Sequence, residues 1–316
     1  MKVSVLFIGF IFLNLPFCGI SQCCSGGVPI AGSMGLSTTD KGNLQFLLTY
    51  DANVMDNLYA GNKALNDQLR ERVTHSGMVE INYGLTDRLT VTSMISFVRQ
   101  ERKINQADGS INFTHTDGLG DGFLMLKFKL LVPAEVPKYN LAVGVGTKIP
   151  FGRTNFNDSN GLSLPADLQP GSGAWDMLLW SIYERYNAFI PNLNLSVSST
   201  FRLTGTNDSY FETLRYRFGN EFILNFQGQY SILLNNRMGS LNLGWRYRNQ
   251  KTDFLDDAIF PNSGGNFIFI VPGAGIQLSD DLQTAISGHI PIYNNVGGTQ
   301  LVSSFRLSVS ANYKIH

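Results

Sequence analysis

Basic residues recur at every second position in segments that otherwise alternate apolar and polar side chains. Lys127, Lys129, Lys148, Arg202, Arg215, Arg217, Arg246, Arg248, Arg306 and Lys314 all fall on the polar side of such segments, where only Glu80 and Glu221 clearly oppose them. Residues spaced by two share one face of an extended strand. A face with that many cations has two available roles. It attracts anions by its field, or carboxylates from connecting segments neutralise it, with Asp208, Asp253, Asp256 and Asp257 at hand. Residue types and spacing alone leave both open.

Other chemistry is weaker. The four histidines, His75, His115, His289 and His316, are scattered and form no spaced metal pair. His289 is expected to face the same enclosed side as the basic residues, as a polar lining residue and not a catalyst. Gly118-Leu119-Gly120-Asp121-Gly122 lacks the GK[ST] ending of a phosphate loop and precedes a strand. Asp117 and Asp121 lack the spacing of an EF-hand loop, so this stretch reads as a corner. Residues 157–163 have an arrangement like that of outer-membrane phospholipases, but Asn157 stands where the base would be, and a serine without a base stays unactivated. No enzyme activity, cofactor or metal is expected.

The elements that must position the charges are strands. Segments with period two are expected near 42–50, 72–84, 88–98, 119–132, 139–149, 173–186, 192–204, 213–233, 239–249, 266–278, 282–292 and 301–316. In the last, Phe305, Leu307, Val309, Ala311, Tyr313 and Ile315 alternate with Arg306, Ser308, Ser310, Asn312 and Lys314. Short connections such as 84–88, 187–192, 235–237 and 279–281 alternate with long ones at 51–71, 99–118, 150–172 and 250–265. This is the pattern of an all-β, closed, antiparallel up-and-down transmembrane barrel of about twelve strands. A lipid-facing Arg or Lys at mid-membrane costs roughly 2–4 kcal/mol, which turns the basic face inward. Two segments fit poorly: Pro272 sits mid-strand, and 173–186 is apolar on both faces.

Composition agrees. The chain has 316 residues, 43% hydrophobic and 15% charged, with formal net charge +0. That charged fraction is low for a soluble domain, and the neutral balance argues against nucleic acid as a partner. Lys2 followed by apolar Val3 to Leu15 and by Gly19-Ile20-Ser21 reads as a signal peptide over 1–21. Residues 22–41 are expected to form a periplasmic N-terminal segment able to plug the lumen, and 42–316 the barrel. Cys23 and Cys24, without a nearby His, are not a metal site. No later apolar run reaches the roughly 18 residues of a membrane helix.

Residues 118–186 resemble the phenol-degradation meta-pathway (MetA-pathway) family of outer-membrane transporters. The likeness is carried by Gly118-Leu119-Gly120-Asp121, Lys127, the run from Gly144-Val145-Gly146-Thr147-Lys148 to Gly152, and Gly171-Ser172-Gly173 before Trp175-Asp176. It implies a barrel in the outer membrane of a Gram-negative bacterium that passes small molecules, sometimes aromatic ones. The expected partners are outer-membrane lipid, a small solute and, through the C-terminal strand, the barrel assembly machinery. Two functions follow: passive passage of small solutes with an anion preference, or uptake of hydrophobic or aromatic compounds through a lateral opening, for which breaks at Pro272 or Pro291 are candidates.

Overall fold

In the computed structural model the structure describes residues 22–23, 37–131, 138–158 and 160–316. The signal-peptide expectation for 1–21 lies outside these residues, as does Cys24.

Twelve strands make the wall: β1 (Leu44–Ala60), β2 (Arg70–Gly84), β3 (Leu89–Asn105), β4 (Ile111–Leu119, resuming at Gly122–Lys129), β5 (Tyr139–Ile149), β6 (Asp176–Arg185), β7 (Leu193–Thr204), β8 (Glu221–Leu234), β9 (Arg237–Gln250), β10 (Gly265–Gln277), β11 (Leu282–Val296) and β12 (Thr299–Ile315). Each is antiparallel to its neighbours in sequence, and β12 returns to β1 from Thr299↔Ala60 to Ile315↔Leu44. Closure matters because hydrocarbon offers the backbone no hydrogen-bond partner.

The pleat separates two surfaces. Leu48, Ile95, Leu126, Val145, Leu179, Leu243 and Val309 point outward and are exposed, forming an apolar belt. Tyr83, Tyr139, Tyr183, Tyr230 and Tyr313 ring the short-turn end, and Tyr50, Phe97 and Tyr293 lie nearer the long-loop end, as interfacial aromatics do. The doubtful segment 173–186 is settled: Asp176, Leu178, Trp180 and Ile182 are buried inside, while Met177, Leu179 and Tyr183 face out.

The lumen has two unlike halves. Behind β2–β6, Met78, Met94, Phe123, Met125, Ala142, Leu178, Trp180 and Ile182 pack into one apolar cluster. Gly144 and Gly146 make room for it. A Cβ on Gly146 would lie 2.6 Å from Leu124 O and 2.9 Å from Met125 Cβ, so the glycines of that segment serve close packing in mid-strand rather than a corner. The half bounded by β7–β12 and β1 is lined mainly by Ser, Thr, Asn and Gln and stays open.

Two expectations need correction. Much of 51–71 and 99–118 is not loop: β1, β2, β3 and β4 run on above the belt as long hairpins. The expected strand 213–233 is two pieces. Leu214–Arg217 belongs to a separate four-stranded outer sheet with Asn207–Tyr210, Phe254–Leu255 and Ala258–Ile259. The break at Gly219 is set by contact, since a Cβ there would sit 1.8 Å from Lys251 O. Pro272 stays in mid-strand, paired to Leu243 on β9. On its other side the β10–β11 ladder skips from Ile270↔Ile290 to Gly273↔Ser287, as expected where a donor N–H is missing.

Leu179→Arg on the outer face should lower unfolding stability in lipid by about 2–4 kcal/mol. Ser198→Lys, on the polar lumen face of the adjoining strand, should cost far less. Urea unfolding of the vesicle-inserted protein, followed by tryptophan fluorescence, checks the pair.

Candidate functional site

The inward charges are organised into pairs. Lys127, fully buried on β4, lies 3.6 Å from Glu80 on β2, and its ammonium sits 4.9 Å from the Trp180 ring centroid. Lys148 reaches Asp121 and Asp176, each at 3.0 Å. Glu221 lies between Arg248 at 2.5 Å and Arg202 at 3.4 Å. Arg306 donates to Asp51 at 2.7 Å. Lys129, at the short-turn end, is 3.4 Å from Asp40. Carboxylates therefore pair most members of this basic face, but they are Glu80, Glu221, Asp40, Asp51, Asp121 and Asp176; of the loop carboxylates expected in that role, Asp208 and Asp257 pair with Arg215. The partners Asp51, Asp121 and Asp176 escape a search for isolated charged motifs. Parity would have found Asp51, which follows Gln45, Leu47 and Thr49 on one face of β1.

Arg215 and Arg217 correct the expectation of a lumen position. Both lie in the outer sheet. Arg215 is half exposed and bridges Asp208 at 2.9 Å and Asp257 at 3.0 Å; Arg217 stacks over Phe254, 4.5 Å from its centroid. Once the strand breaks before Glu221, parity no longer links these residues to the wall.

The long connection after β5 turns back into the outer mouth. Its residues Ala166, Asp167, Leu168 and Gln169 are buried. Arg72, missed by the sequence reading because it lies at the margin of an expected loop, holds Asp167 Oδ2 at 2.7 Å and also donates to the Asp167 carbonyl and to Gln100. Thr116 Oγ1 donates to Leu168 O, and Gln100 Nε2 to Gln169 O. The two ends of the connection meet at Gly152 and Gly171, where a Cβ on either would fall within 2.6 Å of the other's backbone. Asp121 ties them: its carboxylate accepts from the N–H groups of Gly152 and Ser172. The Gly118–Asp121 corner is thus the anchor of this lid. The outer sheet packs on it through Tyr210, Tyr216 and Phe218 against Ala166.

In the open half lies a cavity of about 300 Å3. Serine and threonine hydroxyls from β1, β7, β11 and β12 line it, with Asn225, Gln227, Arg246 and His289 and, on the apolar side, Leu47, Ile182 and Val271. His289 is inside, as expected, edge-on to Phe269 at 6.4 Å.

The wall itself has a gap. β11 and β12 pair from Leu282↔Tyr313 to His289↔Arg306 and no further. Above that level 290–296 pairs only with β10, and 299–305 with β1, although Gly297-Gly298 joins the two strands and the register would allow pairing throughout. Pro291 has no N–H to offer. Gln22–Cys23 lies parallel to Gln300–Leu301 at this edge. Ile290, Ile292, Tyr293 and Phe305 are exposed outside the gap, and Phe267, Phe269, Val296 and Val302 cluster inside it.

Among the described residues, the serine of the phospholipase-like run has no base beside it. Ser163 Oγ donates to Asn157 Oδ1, an amide and not a base, on the exposed surface. Among the described residues no group of three or more His, Cys, Asp or Glu is placed to hold a metal ion.

A closed twelve-stranded barrel with an apolar belt and a charged, polar interior is an integral protein of the Gram-negative outer membrane. A family model described as MetA-pathway of phenol degradation matches residues 71–311, and the chain belongs to that family. Among solved structures it is similar to an outer membrane channel from Pseudomonas putida F1, at 16% identity and a TM-score of 0.69, covering 89% of this chain and 98% of that one. It is also similar to the β domain of the Bordetella autotransporter BrkA, at 8% identity and a TM-score of 0.49, covering 86% and 99%. No curated protein matches the chain.

Two predictions follow from the charges. Glu80→Gln leaves Lys127 buried without its carboxylate and should cost about 3–5 kcal/mol, whereas Glu80→Leu with Lys127→Met should recover most of that. Denaturant midpoints of the refolded variants measure both. In the outer sheet, burial pushes the Asp253 carboxyl above the usual aspartate range, against the lowering effect of donors Tyr216 Oη at 2.6 Å and Gly219 N at 2.8 Å. A pKa raised on packing makes the packed loop most stable below the ordinary aspartate value and weaker as pH rises through the elevated one. Hydrogen-exchange protection of 207–217 and 253–260, corrected for intrinsic rate, should fall over that rise in the wild type and stay flat in Asp253→Asn.

Proposed function

We propose that the protein is a non-enzymatic outer-membrane channel for passive passage of small organic solutes. Solutes enter past the lid formed by the connection after β5 and cross the cavity of the open half. The observation that carries this reading is the hydroxyl-lined cavity of about 300 Å3 inside the barrel, at the lower end of the usual size of ligand pockets. Pairing of most inward cations leaves a modest anion preference. It comes from the ring of Arg202, Arg246, Arg248 and Arg306, which Glu221 and Asp51 offset only in part.

The plug expected of residues 22–41 has support at its described end, residues 37–41, which form a strap at the short-turn end of the passage. Thr39 N donates to Thr90 Oγ1 at 2.9 Å beside the Asp40–Lys129 pair, and the adjoining Gly42 N donates to Gly84 O at 2.8 Å. Recognition by the barrel assembly machinery falls to β12, whose alternation runs through Ile315.

A second reading rests on the β11–β12 gap: apolar or aromatic solutes move between lumen and outer leaflet there. Its support is the missing ladder and the apolar residues on both sides of it.

Refolded protein in planar bilayers should show small single-channel conductance with a weakly anion-selective reversal potential; a cation-selective one removes the preference. Gly84→Val should raise the conductance while the barrel stays folded, because a Cβ there would lie 2.1 Å from Asp40 O and displace the strap. Cysteines replacing Ile292 and Ser303, opposite each other if the ladder continued, test the second reading. Their oxidation should slow transfer of an apolar arene into vesicles and leave conductance unchanged; arene transfer unaffected by the cross-link removes the lateral route.

A further inference from the structure

The cavity of the open half is walled by side chains of two kinds. On β7 and β8 it meets Ser196 and Gln227, and on β1, β11 and β12 it meets Thr49, Ser287 and Ser310. None of these five side chains has a hydrogen-bond partner among the described residues, and none is sealed off from the cavity. Some of their neighbours are satisfied within the wall: Ser198 accepts from Asn225 at 3.2 Å, and Ser308 donates to Asp51 at 2.5 Å. Between the two polar walls stand β9 and β10, which contribute Gly244 and Val271. Leu47 and Ile182 line the cavity toward the filled half.

A hydroxyl or a primary amide both donates and accepts hydrogen bonds, so it pairs best with a ligand group that does the same. A ligand hydroxyl meets that condition. A carboxylate only accepts, and it would need a counter-charge to leave water. Arg246, the permanently charged member of the lining, already has partners. Polar groups on two separated walls suit a ligand with hydroxyls on opposite edges, and the apolar sides between them suit C–H faces. A six-membered ring bearing several hydroxyls has both. The volume of about 300 Å3 is at the small end for ligand pockets, the scale of a single ring.

We propose that this cavity binds a neutral cyclic polyol of monosaccharide size, its hydroxyls bridging the walls of Ser196 and Gln227 on one side and Thr49, Ser287 and Ser310 on the other, and its C–H faces lying against Val271 and Leu47. The proposal rests on the channel reading, to which it adds the class of solute. Weak binding at several points selects the solute and still lets it leave, as conduction requires.

Saturation-transfer NMR on the full chain, folded in an amine-oxide detergent that carries no sugar headgroup, tests it with four probes. Glucose and myo-inositol are neutral ring polyols, glucuronate adds a charge to the same ring, and cyclohexanol keeps a single hydroxyl. At least one polyol should bind saturably, and glucuronate and cyclohexanol should each bind about tenfold more weakly or not at all. Gln227→Leu and Ser310→Ala, one on each wall, should each weaken polyol binding about three- to tenfold, the loss of one neutral hydrogen bond. Ala285→Phe, which fills the cavity and leaves both polar walls intact, should abolish it. Should that variant fail to fold, the two wall variants, which add no bulk, still decide the matter. No saturable binding of either polyol, cyclohexanol or glucuronate binding as well as the polyol, a loss confined to one wall, or binding unchanged by Ala285→Phe overturns the proposal. Conductance measured on the same protein separates the two readings: conduction without polyol binding removes only the site, and polyol binding without conduction removes only the channel.

Discussion

Backbone hydrogen bonding without water is the constraint on which the molecule depends. Across the apolar belt each N–H and C=O must find a partner on a neighbouring strand. The return of β12 to β1 over the whole length from Thr299 to Ile315 meets that demand for the two strands that would otherwise be edges. Closure creates an inside, and everything polar in the middle of the chain is sent there. Where the ladder lapses, between 290–296 and 299–305, the wall changes character, and apolar side chains gather on both sides of the lapse.

The enclosed space is treated unequally. Behind β2–β6 it is filled by methionines and Trp180, with Lys127–Glu80 and the Lys148–Asp121–Asp176 group embedded in or beside the filling. Buried charges of this kind are tolerable only when paired, and their pairing holds strands at fixed heights. The opposite half keeps its cavity because short serine and threonine side chains replace bulky ones on β7, β11 and β12. One barrel thus has a filled half and an open half.

The mouth extends the same logic. Asp121 interrupts β4 and accepts hydrogen bonds from both ends of the connection between β5 and β6. Arg72 then fixes the buried Asp167 over the lumen. The outer sheet adds an aromatic cap, Tyr210, Tyr216 and Phe218, above Ala166. The cover over the mouth therefore depends on a corner of the wall.

Strand alternation made the barrel, its closure and its inside and outside faces legible in the residues. For Lys127, Lys148, Arg202, Arg246, Arg248, His289 and Arg306, parity and the cost of charge in lipid assign the inner face, where each is buried or half-buried. Parity failed at Arg215 and Arg217 because it holds only while a strand is unbroken, and the break at Gly219 is set by contact with Lys251, far along the chain. It was silent on 173–186, since a strand packed inside against methionines and outside against lipid is apolar on both faces. The local order of side chains therefore determined which residues meet hydrocarbon, because that choice is made residue by residue through the pleat. Which carboxylate neutralises which cation, which half of the lumen is filled, how the lid is anchored and where the wall parts were decided only in three dimensions. Those features depend on contacts between segments up to some 250 residues apart, such as Ser303 with Asn53, which no local pattern records.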